Sequence, residues 1–181
     1  MTHSTTKEEV ILVDVDDRMI GTMEKMAAHQ KGALHRAFSI FILNSQGQWL
    51  LQQRAWGKYH SGGLWTNTCC SHPRPNESTM EAGIRRLQEE MGMVCQLEHL
   101  FQFTYQCELP NGLIEHELDH VLLGFSDHPP IPNEDEVTAF QFIDQDALEK
   151  AIRDYPENYT VWFKLCFEQV KDQLNQRGPL R

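Results

Sequence analysis

Two glutamates, Glu115 and Glu117, stand two residues apart in the apolar stretch Ile114–Phe125. On a strand that spacing puts both carboxylates on one face, roughly 6–7 Å apart along it. Like charges so placed repel unless a proton or a cation lies between them, and the pair therefore points to a cation site. A second group lies on a helical pattern. Arg86, Glu89 and Glu90 fall within about one turn, so their side chains can gather around a single ligand. A third is the run Cys69-Cys70-Ser71-His72. A lone cysteine is ordinarily a small buried hydrophobe, and Cys70 acquires a chemical reading only from the company of His72.

The elements that must position these residues follow from periodicity. Residues 9–15 (EVILVDV), Ala37–Leu43 and Trp49–Arg54 read as strands, the latter two joined by the turn sequence Asn44-Ser45-Gln46-Gly47-Gln48. From Ser78, a capping residue, Met80, Ile84, Leu87 and Met91 recur at helical spacing until Gly92, a helix-ending residue. Leu97–Tyr105 and Ile114–Phe125 read as strands joined through Pro110-Asn111-Gly112, followed by a loop at His128–Asn133 and a last strand, Val137–Ile143. Helical stretches over Asp146–Asp154 and Tyr159–Gln176 close the chain. Strands and helices mix without strict alternation, so the fold class is α+β: one mixed sheet sandwiched between helices, as a single domain over residues 1–181.

Ser71–Met93, SHPRPNESTMEAGIRRLQEEMGM, resembles the Nudix box, with Glu77, Arg85, Leu87, Glu89, Glu90, Gly92 and Met93 in register. Two positions depart from it: Ser71 stands for the opening glycine, and Arg86 for the glutamate that follows Arg85. The second change puts a positive charge where a hydrolase needs a carboxylate to hold metal, which suits binding a diphosphate without cutting it. Trp65–Pro73, WTNTCCSHP, resembles the isopentenyl-diphosphate isomerase family, as do Met23–His29, Leu34–Ser39 and Gly112–Glu117 in the same order. The resemblance implies a Nudix-like fold and an enzyme that interconverts isopentenyl and dimethylallyl diphosphate in isoprenoid precursor biosynthesis.

What the family implies residue by residue is specific. Cys70 matches the catalytic cysteine, and Cys69 is a neighbour the pattern does not require. His29, His35 and His72 match three histidine ligands, completed by Glu115 and Glu117. Such a set exceeds the four ligands of a structural zinc site and suits five- or six-fold coordination of one zinc or manganese ion, or magnesium. The spacing from His29 to His35 is one shorter than expected, a difference that a loop at Gln30-Lys31-Gly32-Ala33 would absorb. Glu117 with Tyr105 forms the second proton carrier, opposite Cys70, and Trp162 offers an aromatic face to a carbocation. Lys25, Arg54, Lys58 and Arg86 match the basic contacts to the diphosphate, with a magnesium bridged through Glu90. His116 and His120 fall on the other strand face, and His3, His60, His99 and His128 are expected at the surface.

A net charge of −10 opposes non-specific binding to nucleic acid or an anionic membrane, so a local cluster of cations must attract any diphosphate. The first residues carry no apolar run of the signal-peptide kind, which suggests a cytoplasmic protein whose five cysteines are reduced thiols; the expected assembly is a monomer or weak dimer. Two other readings fit less of the sequence: a Nudix pyrophosphohydrolase acting on nucleotides, and a non-catalytic, metal-stabilised binding domain.

Overall fold

The structure is a computed structural model that describes residues 8–177. Nine strands form one mixed sheet: β1 (Glu9–Val13), β2 (Met19–Glu24), β3 (His35–Leu43), β4 (Trp49–Arg54), β5 (Trp65–Thr66), β6 (Cys69–Ser71), β7 (Leu97–Glu108), β8 (Ile114–Phe125) and β9 (Val137–Ile143). The helices are α1 (Lys25–Lys31), α2 (Thr79–Met91), α3 (Gln145–Asp154) and α4 (Val161–Arg177).

β3 is the hub. Along one edge it runs parallel to β8, from His35 opposite Glu117 to Leu43 opposite Phe125. Its other edge is shared by three strands in turn: β1 at His35, β6 at Phe38–Ile40, and β4 at Ile42–Leu43. β3 and β4 pair only beside their hairpin, and the short β6 occupies the space that opens between them. Side-chain hydrogen bonds hold it there. The Asn67 amide donates to the carbonyls of Ile40 and Cys69, at 3.2 and 2.8 Å. The Thr68 hydroxyl donates to Leu50 and accepts from the Ile42 amide.

The sheet is covered on both faces. On one, α2 buries Ala82, Leu87 and Met91 against Phe38, Ile40, Ile42 and Leu122. On the other, α4 packs Trp162, Phe163, Cys166 and Phe167 onto Phe41, Trp49, Val121 and Leu123. Each large side chain so buried is worth about 1.5–3 kcal/mol. The expected mixed sheet between helices is thus observed. The helix over Thr79–Met91 begins in a full capping box, in which Ser78 and Glu81 satisfy one another's backbone amides. It ends at Gly92, whose φ of 63° is a left-handed cap.

Several boundaries differ from expectation. The first strand stops at Val13, because the Asp14 carboxylate accepts the amides of Asp16 and Arg18 and turns the chain. β7 runs on to Glu108, which sets Cys107 opposite Glu115. The last helix starts at Val161, while Tyr159 bridges to Trp65. Gln30 and Lys31 belong to α1 rather than to a loop, and Gly32, at φ 62°, ends that helix. Among the described residues no helix is long and apolar enough to cross a membrane.

Candidate active site

Strand alternation brings Glu115, Glu117 and Asp119 onto the face of β8 that continues into Val121 and Leu123 under α4. The long β3–β8 ladder sets His35 directly opposite Glu117, and β7 sets Tyr105 opposite it on the other side. The Tyr105 hydroxyl donates to Glu117 Oε2 at 2.7 Å. His72, just past β6, lies with Nε2 2.8 Å from Glu117 Oε1 and 3.3 Å from His35 Nε2. His29, on α1, comes within 3.3 Å of Glu115 Oε2.

His29, His35, His72 and Glu117 each present a ligand atom within 4.8 Å of the others, and all four are buried. Two features test whether a metal ion fits. First, the Nδ1 atoms of His29 and His35 lie 2.8 Å from the carbonyls of Lys25 and Ala33. Each must donate its proton there, which leaves an Nε2 lone pair facing the cluster. Second, His29 Nε2 and Glu115 Oε2 are buried without any hydrogen-bond partner. Orphaned buried acceptors are costly, and a cation removes that cost. The residues fit a divalent metal.

The charges agree. Burial, and then the charge on Glu117, push the Glu115 carboxyl up to about 7. Burial would raise Glu117 too, but its contacts with His35 and His72 outweigh it and hold its carboxyl well below the usual range. Burial pushes the His72 imidazole down to about 4, which keeps it neutral and able to ligate. We expect the purified parent chain to carry a transition metal and His72→Ala and His29→Ala to lack it, since a deleted imidazole leaves too few donors to hold it. Elemental analysis of purified variants measures this; metal retained in both would remove the cluster from consideration.

A pocket opens beside the cluster, lined by Cys70, Tyr105, Glu115, Glu117 and Trp162 together with Lys25, Arg54, Lys58, Arg86 and Glu90. Cys70 lies across from Ser39 of β3 and points into it, whereas Cys69 points into the core under α2. Burial pushes the Cys70 thiol up to about 12, so it keeps its proton. Arg54 Nη1 lies 3.7 Å from Cys70 Sγ, and its guanidinium sits 5.3 Å from the Trp162 ring centre. The Trp162 indole donates to Thr66 Oγ1 at 3.0 Å, so the Trp65-Thr66-Asn67 motif fixes both the tryptophan and β6.

Three of the four cations already have a carboxylate: Lys25 pairs with Glu8 at 3.1 Å, Lys58 with Glu136, and Arg86 with Glu90 and with Glu136 at 3.1 Å. His116 and His120 lie on the other strand face, His116 against the Gly32 carbonyl and His120 against Asp17. His99 and His128 are exposed, and His3 is outside the described residues. His60 is not at the surface. It is 8% exposed, with Nε2 3.1 Å from Glu115 Oε1, because the 55–64 loop folds inward. Glu136 and the Ser39–Asp119 hydrogen bond of 2.8 Å were likewise not legible as parts of this region. For His60, the only local signal was an imidazole two residues from Lys58 in a glycine-rich turn.

The NUDIX domain model matches residues 33–165 of the chain. Among solved structures, a Deinococcus radiodurans protein shares the fold with a TM-score of 0.69 at 21% identity, over 81% of this chain and 90% of that one. The MutT protein of Methanosarcina mazei does so at a TM-score of 0.63 and 20% identity, over 77% and 94%. Relatives in sequence are much nearer. The isopentenyl-diphosphate Delta-isomerase of Pectobacterium atrosepticum is 52% identical over 164 residues, 91% of this chain and 92% of its own. That of Photobacterium profundum is 48% identical over 177 residues, 94% and 98%. Half-identity across nine-tenths of both lengths, on a NUDIX fold whose motif carries Arg86 in place of a carboxylate, shows that this chain belongs to the isopentenyl-diphosphate Delta-isomerase family.

Proposed function

We propose that this chain interconverts isopentenyl diphosphate and dimethylallyl diphosphate, as a divalent-metal-dependent isomerase supplying isoprenoid biosynthesis. The observation that carries the reading is one cavity holding two separate proton carriers, the Cys70 thiol and the Tyr105–Glu117 pair, beside the face of a fixed tryptophan. An isolated alkene is a feeble base, so an acid must deliver a proton to its terminal carbon. The π pair becomes the new C–H bond and leaves a tertiary carbocation. A base then takes a proton from the carbon nearer the diphosphate, and that C–H pair becomes the new double bond. Nothing is oxidised or reduced overall. Because the reaction runs both ways, the group that is acid in one direction is base in the other.

The chain's own residues supply the rest. Trp162 faces the cation at a gain of roughly 0.5–2 kcal/mol. Lys25, Arg54, Lys58 and Arg86 hold the diphosphate, exchanging the carboxylates of Glu8 and Glu136 for its oxygens. His29, His35, His72, Glu115 and Glu117 would hold the metal. The donor set suits zinc or manganese, and Glu90 beside Arg86 suits a magnesium carried in on the diphosphate. A bound divalent ion supplies positive charge that lowers the basicity of the carboxylates around it. One domain acts as a monomer or weak dimer in the cytoplasm, where its five free thiols stay reduced.

The test is an isomerisation assay on isopentenyl diphosphate with chelated and metal-restored protein. We expect turnover that chelation abolishes and zinc, manganese or magnesium restores, without phosphate release from nucleoside diphosphates. Hydrolysis without isomerisation would make the protein a pyrophosphohydrolase.

A further inference from the structure

We infer that His60 is a positioning residue for the metal site, holding one oxygen of Glu115 so that the other is left for the ion. The loop between Arg54 and Trp65 is built to turn this side chain inward. A Cβ at Gly62 would lie 2.7 Å from the Trp56 carbonyl oxygen, and one at Gly63, whose φ is 78°, would lie 2.3 Å from the Trp56 ring. Ser61 takes a left-handed φ of 51° although it is not glycine. Strain of that kind persists where surrounding structure demands it, often at a functional site. Backbone hydrogen bonds of 2.9 Å join Arg54 to Leu64 and Gly63 and pin the loop's two ends together. The imidazole then packs edge-on against Tyr59 at 4.3 Å and against Trp162 at 5.8 Å.

The two oxygens of Glu115 have different surroundings. Oε1 lies 3.1 Å from His60 Nε2. Oε2 has no hydrogen-bond partner and faces His29 Nε2, which has none either, at 3.3 Å. His60 Nδ1 lies 3.2 Å from the Ser61 hydroxyl, which can donate to it, and in that tautomer Nε2 carries the proton, 3.1 Å from Glu115 Oε1 and placed to donate to that oxygen as the carboxylate turns to an ion. His29, His60 and Glu115 lie close enough to share an ion, yet the open donor atoms belong to His29 and Glu115 alone. His60 acts through Glu115, fixing the carboxylate's rotation and tying the metal ligand to the Trp162 face. Hydrogen bonds of this type orient ligands, and losing one costs about 10–100-fold in metal affinity.

The inference rests on the metal reading of the cluster, and one set of measurements separates the two. Manganese and zinc affinities are measured by competition with a fluorescent chelator for the parent chain, His60→Phe, His60→Gln, Glu115→Ala and the His60→Phe/Glu115→Ala double variant. His60→Phe keeps an aromatic ring between Tyr59 and Trp162 but donates nothing, and should bind metal about 10–100-fold more weakly. His60→Gln, whose amide can reach Glu115, should recover most of the loss. On the Glu115→Ala background, His60→Phe should change nothing further, which a merely structural role would not predict. A parent chain that binds no metal overturns the metal reading itself. A parent that binds, with His60→Phe equal to it, overturns only the role of His60. Loss of a nitrogen ligand in the manganese resonance of His60→Gln would make His60 a ligand and also overturn it; that spectrum decides the matter if His60→Phe does not fold.

Discussion

Cys70→Ala and Cys70→Ser are expected to abolish isomerisation, by at least the roughly 10²–10⁴-fold that a positioned proton carrier contributes, while Cys69→Ser keeps most turnover. The two cysteines are adjacent, so strand alternation sends them to opposite faces of the sheet. Cys70 reaches the cavity, where Arg54 Nη1 approaches its sulfur at 3.7 Å. Cys69 is fully buried with Phe38, Leu87 and Met91 under α2. Serine keeps the shape of the Cys70 side chain, but its hydroxyl is a far weaker acid than a thiol and cannot exchange a proton with carbon at a useful rate. Serine at position 69 instead places a hydroxyl in an apolar core, which costs about 1–3 kcal/mol where no partner is found. The two variants therefore fail differently: one in rate with an unchanged melting temperature, the other in melting temperature with its rate preserved. Equal loss of turnover in both, each still folded, would remove Cys70 from the reaction.

What could be read from the sequence was local. β4, β8 and β9 match their expected bounds because alternation and turn residues fix them over short spans, and α2 matches because Ser78 and Gly92 mark its ends. The missed elements lack such marks. β2 is a largely exposed edge strand with little alternation to detect. α1 is seven residues long and is capped by Glu24, whose side chain accepts from Met26 and Ala27, rather than by serine or asparagine. β6 is held by the side chains of Asn67 and Thr68, not by its own pattern. The site divides the same way. Glu115 and Glu117 sharing a face follows from a spacing of two. That His35 stands opposite Glu117 depends on the parallel pairing of β3 with β8, a long-range contact with no local signature, and only the family motifs pointed to it. His60 escaped both routes, since its burial depends on the path of a loop and on two glycines that let Trp56 fold back across it.

Glu117→Gln separates proton transfer from metal binding, and we expect turnover to fall by two to four orders of magnitude even with the metal site full. Glutamine keeps the length and one oxygen. That oxygen can take the place of Oε1 toward His72 and His35, now 2.8 and 3.5 Å from their Nε2 atoms. The amide nitrogen then falls where Oε2 accepts the Tyr105 hydroxyl at 2.7 Å, and the hydroxyl can turn to accept from it. The site stays assembled, so metal content should stay near that of the parent at saturating metal. What is lost is a group able to take up and release a proton. Burial pushes Tyr105 well above its ordinary range, so its hydroxyl is a poor acid and does not replace the carboxylate. Turnover and metal content measured on one sample decide between the roles. A glutamine variant loaded with metal that turns over at near the parental rate would show that Glu117 serves as a ligand only and that the second proton moves through another group.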